Sequence, residues 1–295
     1  MSPSGILLVD KPGGMTSHDV VSRTRRALGT RKVGHAGTLD PMATGLLLLG
    51  VDSSTRLLTY LVGLGKRYAA TIRLGVATDT DDAEGSVIAS ADASATTREA
   101  IDAAIATLTG EISQVPSSYS AIKVDGRRSY DRARAGEDVV LAPRTVTVSR
   151  FDILGERRDG PVIDLDVIVE CSSGTYIRAL ARDLGHALGD IGGHLTALRR
   201  EAIGTFELQD AVALDAIDAG SLRSPATIAA ELFPVAELDA VQATDLAHGK
   251  RVELGIPDAA VVAAVTAQGR LAGLVSVKAG VARVLVNFPT DEVLA

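Results

Sequence analysis

The 295-residue chain has one cysteine, no tryptophan and only 3% aromatic residues, and each shortage removes a class of protein. A single thiol, Cys171, excludes an internal disulfide framework and fits a reducing, cytoplasmic setting. No apolar run approaches the roughly 18 residues needed to cross a bilayer. The opening MSPSGILLVDKPGG lacks the basic start and long apolar stretch of a signal peptide, so no membrane partner is expected. His18, His186, His194 and His248 show no metal-ligand spacing with the cysteine or with one another. Asp79, Asp81 and Asp82 resemble a calcium loop, but Ala83 stands where a ligand is needed, which leaves a solvated acidic turn. Lys66 follows Gly65 without the upstream glycine and following Ser/Thr of a phosphate-binding loop. With five Tyr and no Trp, aromatic platforms are few.

Hydrophobic residues at 46% and charged residues at 23% describe a globular chain, long enough for more than one domain. The net charge of −7 is unevenly spread. Residues 1–206 carry 24 Lys/Arg against 25 Asp/Glu, whereas residues 207–295 carry 6 against 12. Within the near-neutral part, Arg23, Arg25, Arg26, Arg31 and Lys32 form one basic cluster, and Lys123, Arg127, Arg128, Arg132 and Arg134 another. Such clusters serve as solvated faces or as phosphate contacts.

Gly5 to Asp10 reads as a strand, followed by a helix capped among Thr16, Ser17 and Asp19 and stopped at Gly29. Asp40 and Pro41 have the form of a helix start. Thr55 to Leu64 and Thr97 to Leu108 read as helices, and Arg67 to Val76, Val139 to Leu154 and Val162 to Cys171 as strands. A turn at Ser172 to Thr175 leads into a helix over Tyr176 to Leu188, and a further helix is predicted over His194 to Ala202. The mixture lacks βαβ alternation, which predicts an α+β domain with a mixed or antiparallel sheet. Asp210 to Ala230 reads as helical linker. Three short strands, Val261 to Val265, Leu271 to Val277 and Val281 to Val286, then form a small β module, which places a boundary near residue 235.

The richest stretch is Gly34-His35-Ala36-Gly37-Thr38-Leu39-Asp40-Pro41-Met42-Ala43-Thr44-Gly45, a lone carboxylate among small residues. Asp40 there is either a cap or a chemically exposed acid, and the two roles are compatible. Further blocks follow in order: Lys11-Pro12-Gly13-Gly14-Met15-Thr16-Ser17 before it, then Lys66-Arg67-Tyr68 with Thr78 to Gly85, Cys171 to Arg178, and His194 to Arg200 after it. Together these resemble the TruB family of tRNA pseudouridine synthases over nearly all of residues 5–206.

The resemblance implies an α+β pseudouridine synthase fold, with a central mixed, largely antiparallel sheet flanked by helices. Residues 1–235 would form the catalytic domain, with a basic RNA-contacting excursion over about 123–136. Residues 236–295 would form a short, β-rich PUA-like domain. It implies isomerisation of uridine to pseudouridine at position 55 in the T-loop of tRNA, with the uridine flipped out. Asp40 becomes the catalytic residue, acting at C1′, at C6 or as a base on the sugar. Arg178 becomes its ion-pair partner, Tyr68 the base-stacking tyrosine, Leu198 a wall of the base pocket, and His35 a positioning residue on the side from which RNA enters. Tyr176 joins the substrate-binding group. Their bland alternatives are a half-buried strand tyrosine, a solvated helix arginine, a core leucine and a loop histidine. The isomerisation has no redox change and no external group transfer, so neither cofactor nor metal is required. The partner is the tRNA T-arm, no obligatory protein partner is expected, and the chain is expected to act as a cytoplasmic monomer. The rivals are a hydrolytic glycosidase, which needs a second carboxylate, and a noncatalytic RNA-binding protein on the same scaffold.

Overall fold

The computed structural model describes residues 4–117, 123–124, 127–128 and 141–288. The N-terminal half supplies β1 (Gly5–Lys11), α1 (Ser17–Ala27), β2 (Val33–Ala36), β3 (Thr44–Val51), α2 (Leu58–Val62), β4 (Lys66–Leu74), β5 (Val76–Thr78), β6 (Val87–Ser90), α3 (Arg98–Thr107) and β7 (Gly110–Gln114). Two two-residue strands, β8 (Lys123–Val124) and β9 (Arg127–Arg128), pair with each other; the rest of the basic excursion predicted over 123–136 lies outside the described residues. Then come β10 (Arg144–Asp159), β11 (Val162–Cys171), α4 (Ile177–Ala187), β12 (Gly193–Ile203), β13 (Phe206–Glu207), β14 (Val212–Ala213) and α5 (Pro225–Leu232). The C-terminal part holds β15 (Val235–Leu238), α6 (Ala240–Ala247), β16 (Val252–Glu253), β17 (Ala259–Thr266), β18 (Leu271–Lys278) and β19 (Val281–Asn287).

The main sheet runs β14-β1-β3-β12-β4-β11-β10-β7, with β2 on β3 and β13 on β12. Its pairings are antiparallel except β1 with β14 and β3 with β12. A second sheet, β15-β17-β18-β19-β16, forms the C-terminal module. This is the α+β architecture expected, and the module strands fall where the apolar runs were.

The run Leu46 to Leu49 explains why no helix starts at Asp40. Leu46 and Leu48 pack with Ile6 and Leu8 on one face, while Leu47 and Leu49 pack with Leu7 and Val9 on the other. A continuous apolar run suits a strand buried on both faces, and that burial overrides the start signal of Asp-Pro. Asp40 therefore sits in a bend that feeds β3 rather than at a helix cap.

The helix predicted over His194 to Ala202 is also absent. That segment is β12, inserted between β3 and β4 in the middle of the sheet. Helix-favouring residues such as Leu198 and Arg199 yield there to two flanking strands. The predicted linker 210–230 is α-helical only in α5, whose N-cap is Ser224, with short 3-10 turns at Leu214–Ala216 and Ala219–Ser221 before it. Before it, Val212 and Ala213 pair parallel to Val9 and Asp10, and Arg223 exchanges both backbone hydrogen bonds with Ile6. The edge of β1 thus claims part of a segment that pattern alone read as helical linker. Elsewhere the helices expected after Thr16 and from Thr97 are present: of the candidate caps of α1, Thr16 takes the place and forms a capping box with Asp19, and Thr97 caps α3.

The C-terminal sheet has its own core, including Leu246, Val262 and Val275. Its opposite side joins the main domain, where Ala263, Leu271, Leu274 and Phe288 pack with Ile6, Leu8, Leu46 and Leu48. The strand that leads away from Asp40 is therefore held in place from the C-terminal end of the chain as well.

Gly45 marks a tight point of the sheet. It opens β3 at a φ of 100°, opposite Arg200 of β12, and an added Cβ would lie 2.3 Å from the Arg200 carbonyl oxygen. Backbone cannot yield as a side-chain tip can, so Gly45→Ala is expected to lower the unfolding free energy by at least ~2 kcal/mol. Urea denaturation of the two proteins checks this, and equal midpoints would contradict the close approach.

Candidate active site

Four side chains on one face of two neighbouring strands build the floor of a cleft of about 320 Å³. Lys66 and Tyr68 alternate outward from β4, and Leu198 and Arg200 from β12, with Tyr68 paired directly to Arg200. The Gly37 to Asp40 bend forms one wall, and Ser173 to Arg178, at the start of α4, forms the other. Of the residues proposed from sequence, Asp40, Tyr68, Tyr176, Arg178 and Leu198 all line this cleft. His35 does not; it lies on β2, opposite Leu49. Its Nδ1 is buried with no hydrogen-bond partner among the described residues, and burial together with the Arg200 charge pushes its pKa down.

The Asp40 carboxylate accepts a hydrogen bond of 2.9 Å from Nε of Arg178, across 138 residues of sequence. The two ends of this pair differ sharply: the arginine side chain is 5% exposed and the aspartate 35%. Arg178 is thus a buried support, and Asp40 is the end open to solvent. The same guanidinium donates to the Thr80 carbonyl at 2.8 Å and lies 3.4 Å from Oδ2 of Asp82. Asp82 is itself held by the Thr80 hydroxyl at 2.6 Å and the Glu84 amide at 3.0 Å. The solvated acidic turn expected at Asp79 to Asp82 is therefore corrected: Asp81 and Asp82 are buried. They face Arg182 and Arg178, 101 and 96 residues further on, a pairing invisible to local pattern. Burial dominates at Asp81 and raises its pKa against the opposing charge of Arg182.

Three groups that sequence reasoning did not single out fix the Asp40 bend. Ser17, the first residue of α1, donates to the Leu39 carbonyl at 3.1 Å and accepts from the Leu39 amide at 2.8 Å. The fully buried Lys11 ammonium donates to the carbonyls of Pro12, Met15 and Pro41 at 3.0, 2.7 and 3.3 Å. The Gly14 amide also donates to Pro41, at 2.9 Å. Residues on both sides of Asp40 are therefore pinned by the Lys11 to Ser17 block, whose recurrence as a motif was the available signal. Burial lowers the Lys11 pKa to about 8, with Asp40 the main charge opposing the shift.

Arg200 is the third such group. At 1% exposure it donates to the carbonyls of Leu46 at 2.7 Å, Gly37 at 3.1 Å and Thr38 at 3.5 Å. Gly37 adopts a φ of 85°, which turns the bend over this guanidinium. Tyr68 is buried in front of it, and burial raises the phenol pKa while the Arg200 charge opposes the rise. Its hydroxyl therefore stays protonated at neutral pH. On the opposite wall Gln114 clamps Tyr176 from both sides, accepting from its amide at 2.8 Å and donating to its carbonyl at 3.1 Å. A half-exposed acid on a rigid bend, two tyrosines, and a leucine suit a flat, weakly polar ring brought to a nucleophile.

Known proteins resemble this chain over nearly its whole length. Residues 25–177 match the family model described as TruB family pseudouridylate synthase, N-terminal domain, and residues 233–289 match tRNA pseudouridine synthase II, C-terminal. A tRNA pseudouridine synthase B of Leifsonia xyli subsp. xyli is 57% identical over 300 residues, covering 99% of each chain. That of Arthrobacter sp. strain FB24 is 55% identical over 301 residues, covering 98% of each. Among solved structures, an H/ACA RNP bound to a substrate RNA containing 2′-deoxyuridine superposes with a TM-score of 0.70 at 24% identity. It covers 98% of this chain and 86% of that one, and shares the fold.

The buried ion pairs set a stability test. Arg178→Met leaves Asp82 without its buried cation and is expected to cost ~3 kcal/mol. Adding Asp82→Asn removes the stranded charge and should return part of that loss. Equal unfolding free energies for the single and double variants in chemical denaturation would contradict the coupling.

Proposed function

The chain belongs to the TruB family of pseudouridylate synthases, and from that premise we propose that its substrate is the uridine at position 55 in the T-loop of tRNA, with Asp40 as the nucleophile. The reaction itself is the isomerisation of uridine to pseudouridine in tRNA. The observation that carries the proposal is the Asp40–Arg178 pair: a carboxylate held at 2.9 Å by a buried guanidinium, with its free side toward a cleft.

Uridine stacked within a folded loop has to leave the stack, at a cost of a few kcal/mol, before a carboxylate can reach it. Tyr68, Tyr176 and Leu198, which line the cleft, then receive the base, and Tyr68 presents its hydroxyl for proton transfer near C5. Asp40 attacks or assists at the reacting carbon while Arg178 keeps it from swinging away, so positioning supplies much of the rate. His35, on a strand outside the cleft, suits contact with the RNA backbone around the extruded nucleotide rather than acid–base work. Binding comes chiefly from the shape and phosphates of the T-arm. In this reading the enzyme works in the cytoplasm as a monomer, without an obligatory protein partner.

A hydrolytic role is disfavoured by the cleft itself. Among the described residues that line it, Asp40 is the only carboxylate, whereas glycosidases pair two across the scissile bond.

Asp40→Asn is expected to bind unmodified tRNA transcript with nearly unchanged affinity and to form no pseudouridine. Mapping pseudouridine at nucleotide resolution checks both the residue and the site. Product from the variant would remove Asp40 from the chemistry, and product at another nucleotide would remove position 55.

A further inference from the structure

The cleft floor contains two buried cations that have no anion among the described residues. Lys66 is 8% exposed and donates to the carbonyls of Val62 at 2.7 Å and Leu64 at 2.6 Å. Arg200, next to it, is bonded to three carbonyls. Among the described residues neither has a carboxylate within ion-pair distance. Buried charges in proteins are ordinarily paired, because desolvation penalises a lone ion by several kcal/mol. Here two like charges share one floor, and each destabilises the other. Such an arrangement is retained where an anion arrives later, as in preorganised sites for developing negative charge.

The substrate's chemistry supplies that anion. When the C1′–N1 bond breaks, its electron pair stays on N1 and spreads to the ring carbonyl oxygens. C5 then bonds to C1′ and loses its proton, N1 gains one, and the atoms balance. Attack at C6 also puts negative charge on the ring, on its O4. Every route open to Asp40 therefore passes through a negatively charged pyrimidine in this cleft.

We propose that Lys66, backed by Arg200, is a catalytic residue that holds the negative charge of the pyrimidine ring once its bonding to the sugar is disturbed. The assignment rests on the isomerase reading above. Two of its three protons are taken by the carbonyls of Val62 and Leu64 at the end of α2, which leaves one for a ligand in the cleft that Lys66 lines. Lys66 transfers no proton; it offers a fixed charge and a hydrogen bond to a ring oxygen. The groups around it are Arg200 from β12, the Cys171 thiol from β11, Tyr68 from its own strand, and Asp40 across the cleft. Burial and the Arg200 charge lower the Lys66 pKa to about 8, while burial raises that of Cys171 to about 11. The ammonium is thus charged at neutral pH and is lost as pH rises through about 8.

The test is single-turnover pseudouridine formation on an unmodified tRNA transcript from about pH 6 to about pH 10, with tRNA affinity measured in parallel. The wild-type rate is expected to fall above about pH 8. Lys66→Met is expected to lose ~10²-fold in rate at neutral pH with tRNA affinity unchanged, and to lose that alkaline limb. Lys66→Arg, which keeps the charge, is expected to recover most of the rate and to move the limb to higher pH. A wild-type rate in Lys66→Met, or loss of rate only in step with loss of tRNA binding, would overturn the proposal. Where Lys66→Met does not fold, Lys66→Arg decides alone: a limb left unmoved would assign it to another group, such as Lys11, and overturn the proposal. Absence of pseudouridine from the wild-type protein would instead count against the isomerase reading.

Discussion

A guanidinium with almost no access to water has to find acceptors inside the protein, and at Arg178 this necessity organises the site. Its donors reach the Asp40 carboxylate, the Thr80 carbonyl and the Asp82 carboxylate. Ser117 lies 3.5 Å away on the same side. These partners come from a bend before β3, the turn after β5 and the end of β7, segments that share no strand pairing with one another. The buried charge is costly unless all of them arrive together. Folding α4 onto β12 therefore delivers the arginine and its set of partners as a unit, and the geometry around Asp40 follows from that satisfaction.

Local pattern made much of the frame legible. The Thr16–Asp19 capping box, the Thr97 cap and the alternation of β4 and β11 are short-range signals, and the structure honours them. Legibility failed where distant segments decide. The Asp40–Pro41 start signal is outweighed by β3, whose two faces are buried by residues from both ends of the chain. His194 to Ala202 has helical composition but fills a gap between two strands. The acids at Asp81 and Asp82 look solvated until Arg178 and Arg182 are placed opposite them. Within the site, Asp40, Tyr68, Tyr176, Arg178 and Leu198 were readable through motif resemblance. Lys11, Ser17, Lys66 and Arg200 stood in the same motifs without a visible role, because their partners are backbone carbonyls that a sequence does not display.

That distinction bears on electrostatics. The N-terminal two thirds is close to neutral, yet charge near the cleft is far from evenly mixed. Lys11, Lys66 and Arg200 are all buried and all solvated by carbonyls instead of carboxylates. Carbonyl dipoles stabilise a cation without neutralising it, so the field of each charge persists into the cleft. An overall acidic chain can in this way present a positive site to an anionic polymer and to an anionic reaction intermediate.

What the fold contributes to the chemistry is fixed geometry, more than an unusual acid. Leu39 is gripped at both its amide and carbonyl, Pro41 receives two donors, and Gly37 and Thr38 are held by Arg200. A bend so constrained has little freedom to lose when the nucleotide arrives, and the carboxylate is already restrained from its far side. In such a site the cost of orienting the reacting groups is met during folding. The C-terminal module takes part without touching the cleft, since its Ala263, Leu271, Leu274 and Phe288 bury the same face of β3 that Leu46 and Leu48 present. Rigidity at Asp40 is thus a property of the whole packed chain, because that remote interface helps to fix the placement of β3.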